Sequence, residues 1–210
     1  MPPDAALTLV LVRHGETEDE SSIRYHGRND VALSDLGRAQ MRSVRRAIEG
    51  RFGFRRFSHI FSSPLIRALE SARIITGESA ISTLDEFAEV DFGLFEGLTA
   101  EEIRERHPEE FARWNLNRPA SDYQYPSGEH RGDFARRIER GLTRMLDLID
   151  REPLSHDARA IVVAHRGVIR TIVSILIATE PHVDLGSIQI LVRDRAWRPE
   201  LLDDIAHLEE

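Results

Sequence analysis

The chain has 210 residues, 41% of them hydrophobic and 30% charged, enough for one α/β domain whose core needs no covalent staples. It has no cysteine, which excludes a disulfide, a Cys zinc site and a thiolate nucleophile. All 28 of its Lys+Arg residues are arginine, which excludes a Walker A phosphate loop, a kinase strand lysine and a Schiff base. The formal net charge of -8 argues against nucleic acid or an anionic membrane as partner; with no bilayer-length apolar run and no basic-then-apolar leader, a cytoplasmic location is expected.

In chain order, the apolar run over 7–12 reads as a first strand, ended by Arg13, His14 and Gly15. Ser34 is placed to N-cap an amphipathic helix to about residue 51, with Leu36, Ala39, Val44, Ala47 and Ile48 on its apolar face. "HIFSS" (59–63) is a second short strand. Ser63-Pro64 then reads as an N-cap with proline at the first helical position, opening a helix to about residue 76. A short strand near Ile81 leads into the acidic, aromatic loop "DEFAEVDFGLFEG" (85–97), and Thr99 with Glu102 forms a capping box for a helix near 100–106. Residues 107–130, rich in Pro, Asn, Ser and aromatics, read as a short helix plus an irregular cap, and a long amphipathic helix follows from roughly 128 to 150. "AIVVAHRGVIRTIVSILIA" (160–178) repeats the opening theme: an apolar strand ends on His165, and a helix with the core stripe Ile169, Ile172, Val173 and Leu176 begins just after. "SIQILVRD" (187–194) reads as the last strand, at the sheet edge, where it would support a homodimer. The alternation gives an α/β class: a three-layer αβα sandwich with a mostly parallel sheet, an edge strand and a small helical cap.

In an open parallel sheet, ligands bind beyond the carboxyl ends of the strands. His14 and His165 both stand at such ends, each followed by glycine within two residues, so backbone can approach a ligand closely. A single strand-end histidine is more often a satisfied structural residue. If the first and fourth strands are neighbours, however, both imidazoles face one crevice. Arg13 accompanies the first, Arg67 lies in the helix behind Ser63-Pro64, and helix N-termini offer amides to an anion. Such a set would suit a phosphoryl group, because guanidinium matches phosphate oxygens bidentately and an imidazole of near-neutral pKa can act as nucleophile.

"LVRHGET", "GRNDVALSDLGRAQ", "SSPLIRALESA", "EVDFGLFEG", "PSGE", "AHRGVIR" and "DDIAHL" occur in the order and with the separations of the histidine phosphatase superfamily, also called phosphoglycerate-mutase-like. The chain resembles that family from about residue 8 to 208. The resemblance implies a single domain over 1–210 with a cap-like insertion at about 98–127. It implies that His14 attacks phosphorus and carries the phosphoryl group, that Arg13, Arg67 and His165 hold the phosphoryl oxygens, and that Glu89 protonates the leaving alkoxide and then activates water. Phe87, Val90 and Phe92 would desolvate Glu89. Glu16 and Thr17 would fix the turn after the strand, with Thr17 also a candidate for the phosphate pocket's backbone lining, while Glu96 and Gly97 would shape their loop. No metal and no cofactor are implied, and the partner is a small phosphorylated substrate.

The chain also departs from the family. Where many members carry Asn as a phosphate ligand it has Glu20, and where a small residue usually follows the second His it has Arg166. An ionised carboxylate would repel a phosphate dianion, so Arg166 is expected to pair with Glu20 at the pocket rim and cancel its charge. His130 and Phe95 also replace more usual residues, and His26 and His130 are expected at the surface. The implied activity is a phosphomonoesterase, because family mutases are typically longer. A cofactor-dependent phosphoglycerate mutase is the alternative, and a weakly catalytic phospho-ligand sensor the third reading. Tyr25, Phe92, Trp114, Tyr123 and Tyr125 lie where they would roof the pocket or pack the cap.

Overall fold

The computed structural model of the chain describes residues 6–20, 23–53, 57–117, 122–151 and 157–208. Its strands are β1 (Ala6–Arg13), β2 (His59–Ser62), β3 (Ser82–Thr83), β4 (Asp157–Ala164), β5 (Ile188–Arg193) and β6 (Trp197–Asp204). Its helices are α1 (Asp35–Phe52), α2 (Ile66–Thr76), α3 (Ala100–Arg106), α4 (Pro108–Leu116), α5 (Arg131–Asp150) and α6 (Arg166–Ile177). The strands form one sheet in the order β3-β2-β4-β1-β5-β6. The first four are parallel; β5 runs antiparallel to β1, and β6 antiparallel to β5.

The unbroken apolar run of β1 follows from burial on both faces. Leu7, Leu9 and Leu11 pack with Phe134, Ile138 and Met145 of α5 and with Ile169 and Ile172 of α6. Val10 and Val12 point the other way, onto Met41, Val44 and Ile48 of α1 and Ala68, Ala72 and Ile75 of α2. The result is the expected three-layer sandwich, with α1 and α2 on one face and α5 and α6 on the other. Among the described residues no helix is long and apolar enough to cross a membrane.

Ser34 caps α1 by accepting from Gly37 N, and the Thr99–Glu102 capping box is present at α3. Four expectations are corrected. The buried face of α1 is Gly37, Met41, Val44 and Ile48, whereas Leu36 and Ala39 are exposed. Ser63 does not cap the next helix, which begins at Ile66; Asp30 Oδ1 accepts from Ile66 N at 2.6 Å instead. The strand over 187–194 is not the edge. It lies between β1 and β6, and β6 is the edge strand, so the dimer contact expected there is already covered. Finally, α5 begins at Arg131, because the Nδ1 of His130 caps it by accepting from Gly132 N at 3.0 Å; that histidine is a capping residue.

Candidate active site

The β1–β4 register pairs Arg13 with Ala164, so the next residue on each strand, His14 and His165, emerges at the same carboxyl edge. Their ring centroids are 5.1 Å apart at an interplanar angle of 63°. The loop after His14 is fixed by close backbone packing: a Cβ on Gly15 would lie 2.6 Å from Gly37 O, and one on Gly37 would lie 2.0 Å from Glu16 O. Both positions therefore need glycine, which seats the start of α1 against the turn that carries the histidine.

His14 is buried, with Nδ1 2.7 Å from Gly15 O. A carbonyl only accepts, so Nδ1 carries the proton and Nε2 keeps its lone pair. Arg67 Nε donates to that Nε2 at 3.3 Å. Helical side chains lean toward the N-terminus, which aims Arg67, in the first turn of α2, back over the strand ends. Its other nitrogens donate to Asn29 O (2.7 Å) and Gly27 O (2.8 Å), and the side chain is fully enclosed. The 27–29 turn is itself anchored by Glu96, whose Oε1 accepts from Arg28 N at 2.7 Å and Phe92 N at 3.2 Å. A Cβ on Gly27, at φ +52, would lie 2.1 Å from that oxygen.

Arg13 donates through Nη1 to Val183 O at 3.1 Å, and its buried Nε has no partner among the described residues. Burial holds it down to about 10, with Glu89 raising it and Arg166 pressing it lower, so it is a cation at neutral pH. His165 is enclosed, with Nε2 2.7 Å from Ser63 Oγ. Ser63 Oγ accepts from Leu65 N at 3.2 Å, which frees its own hydrogen for His165 Nε2. With the Ser63 hydroxyl donating to Nε2, the proton of a neutral ring sits on Nδ1, which has no partner among the described residues. Burial first, and then Arg67, push both His14 and His165 well below the ordinary imidazole range. Both rings are neutral at pH 7.

Glu89 is nearly buried, and each carboxylate oxygen meets a backbone N–H: Oε1 accepts from Val90 N at 3.0 Å and Oε2 from Gly167 N at 3.1 Å. A Cβ on Gly167 would lie 2.5 Å from Glu89 Oε1, so a side chain two residues after His165 would displace the carboxyl. Thr17 is buried with Oγ1 3.2 Å from His26 Nε2. His26 is thus a third interior imidazole rather than a surface residue; burial and then Arg67 keep it below its usual range.

The structure therefore brings Arg13, His14, Thr17, Arg67, Glu89 and His165 together and adds His26 and Ser63. The expected Glu20–Arg166 pair is not formed. Both side chains are exposed, and neither has an ion pair among the described residues; Arg166 is within electrostatic reach of Arg13. Glu20 instead turns the chain, with φ 59 and its carbonyl accepting from Ile23 N and Arg24 N at 3.1 Å each. Phe95 is core, edge-to-face with Trp114 at 5.7 Å. Ser63 stands at the carboxyl end of β2, so the rule that singled out the two histidines would have found it. The signal for His26 is weaker, only its place beside the Gly27 turn. A cup with two fixed cations, an imidazole lone pair and a carboxyl to one side can bind a tetrahedral oxyanion and exchange protons with a group it carries.

A model of the histidine phosphatase superfamily (branch 1) matches residues 9–196. A bifunctional protein of Mycobacterium tuberculosis is 35% identical over 140 residues, or 66% of this chain, and the chain spans 37% of that protein's length. The phosphoglycerate mutase-like protein 4 of Arabidopsis thaliana is 29% identical over 211 residues, covering 96% of this chain and 87% of that one. The structure of a mycobacterial glucosyl-3-phosphoglycerate phosphatase superposes with a TM-score of 0.76 at 25% identity, over 94% of this chain and 99% of that one.

Proposed function

The chain belongs to the histidine phosphatase superfamily, branch 1, and on that premise we propose that it is a metal-independent phosphomonoesterase that works through a phosphohistidine on a small phosphorylated metabolite. The observation that carries this reading is the His14 ring itself: neutral, held through Nδ1 on Gly15 O, with its Nε2 lone pair directed at the Arg67 guanidinium. A phosphomonoester dianion entering the cup takes the Arg67 and Arg13 hydrogens, and His165 Nδ1 supplies a further donor. Nε2 of His14 then forms a bond to phosphorus as the bond to the leaving oxygen breaks, and the Glu89 carboxylic acid gives that oxygen its proton. In the second step water attacks phosphorus and its proton passes to the Glu89 carboxylate. The phosphorus–nitrogen bond breaks, the lone pair returns to His14, and inorganic phosphate leaves. Two guanidinium groups neutralise the charge that a metal ion would otherwise meet. The described residues of 98–127 act in this reading as a cap, joined to the loops around the cup by edge-to-face contacts of Trp114 and Tyr125 with Tyr25 and Phe92.

Steady-state turnover of p-nitrophenyl phosphate tests it. The expected result is release of phosphate that survives chelation, needs no bisphosphoglycerate primer and is lost in His14→Ala. Isomerised rather than dephosphorylated phosphoglycerate would make the chain a mutase, and phosphate binding without turnover would make it a sensor.

A further inference from the structure

Arg137 projects from α5 and takes no part in the chemistry above, yet its side chain is largely buried, 13% exposed. Each of its five N–H groups has an acceptor. Nη1 donates to Glu86 O at 2.6 Å and Ala88 O at 2.9 Å, Nη2 to Glu89 O at 3.4 Å and Glu129 Oε2 at 2.8 Å, and Nε to Glu129 Oε1 at 3.0 Å. Three of those acceptors are main-chain carbonyls of the irregular segment that carries Glu89. Glu129 holds the same segment on the other side, through Asp91 N to Oε2 at 3.4 Å and its own N–H to Asp91 O at 2.9 Å. Along α5 the helix backbone comes against this segment at Gly141, where a Cβ would lie 2.6 Å from Glu86 Cβ and 2.9 Å from the Phe87 ring. Phe134 lies beneath the guanidinium, with its ring centroid 5.0 Å away.

We propose that Arg137 and Glu129 are positioning residues that set the place of the Glu89 carboxyl over the phosphoryl cup. The proposal rests on the reading that Glu89 transfers protons. The guanidinium grips carbonyls and leaves the carboxyl oxygens alone, so it fixes where the acid stands without occupying it. A lysine offers three donors on a tetrahedral head and cannot reproduce a planar grip on five acceptors. An acid displaced by even 1 Å loses about 100-fold in rate.

Rapid-quench kinetics of Arg137→Lys, Glu129→Gln and Glu89→Gln would be compared on p-nitrophenyl phosphate and on an alkyl phosphate such as glycerol phosphate. Nitrophenolate departs without a proton and an alkoxide does not. For both clamp variants, kcat on the alkyl phosphate is expected to fall roughly 10- to 100-fold with KM within about threefold, while the nitrophenolate burst slows by less than about threefold. Equal losses on both first steps, a change confined to KM, or wild-type rates would overturn the clamp. Glu129→Gln keeps the shape and the acceptor oxygen, so it gives the same comparison if circular dichroism shows Arg137→Lys unfolded. Should Glu89→Gln show no leaving-group dependence, the proton-transfer reading beneath the proposal fails. If it shows the dependence and the clamp variants do not, only the clamp fails.

Discussion

The floor of the site and its leaving-group side are built by opposite means. His14 and His165 leave paired strands at one register and Arg67 comes from the first turn of a helix, so regular elements deliver the floor. Glu89 comes from a segment with neither strand nor α-helix, and it is held by a buried ion pair and by the glycines at 141 and 167. The difference teaches that strand register and helix direction set where the floor's side chains start, whereas an irregular segment must borrow its whole placement from neighbours.

Removing Arg67 breaks the floor. Arg67→Gln takes away a fixed cation and leaves Gly27 O and Asn29 O short of donors, so kcat/KM should fall about 10²- to 10³-fold. Gly27 O then has no donor among the described residues, at a cost of about 1–3 kcal/mol of stability, whereas Asn29 O keeps the Val31 N–H at 3.2 Å. A variant that retains more than roughly a tenth of wild-type activity would show that the floor is not the phosphate site. Gly167→Ala breaks the other side with a single methyl, which meets Glu89 Oε1 at 2.5 Å. Here kcat should fall about 10-fold or more with little change in KM, and unchanged kcat would mean the carboxyl is less tightly placed than its contacts imply. Mild acid separates the two regions without mutation. Burial pushes His14, His165 and His26 below the ordinary imidazole value of 6.5, so the unfolded chain takes up protons that the fold refuses. Stability is full above 6.5 and is lost as pH falls below it. Thermal melts should show that loss, and His26→Gln should soften it. A melting temperature flat through that window would contradict three neutral buried imidazoles.

The same contrast decides what the sequence revealed. The apolar runs, the Ser34 cap and the Thr99–Glu102 box were legible because each is a local pattern with a local cause. The paired histidines were legible because strand ends are where an α/β sheet binds ligands. β6 was not, since "WRPELLDD" faces solvent over much of its length and tolerates Pro199 at an edge, so no alternation marks it. Leu36 and Ala39 fit helical spacing but lie on the solvent side of α1, because Gly37 packs on Glu16 and so fixes which face turns inward. Ser63 stands at a strand end and was open to the same rule as the histidines, whereas His26 and the Arg137 clamp act through partners distant in the chain or set by the fold, which spacing does not encode. The Glu20–Arg166 pairing was inferred from opposite charges at two departures from the family pattern, and the structure leaves both side chains exposed with no ion pair among the described residues.

The most direct measurement is the position of the phosphoryl group on the protein. Enzyme mixed with p-nitrophenyl phosphate and quenched in alkali, where phosphohistidine survives, would be digested and sequenced by mass spectrometry. The account predicts the modification on His14, at Nε2. A phosphoryl group on His165 or on any other side chain, or none during active turnover, would contradict it.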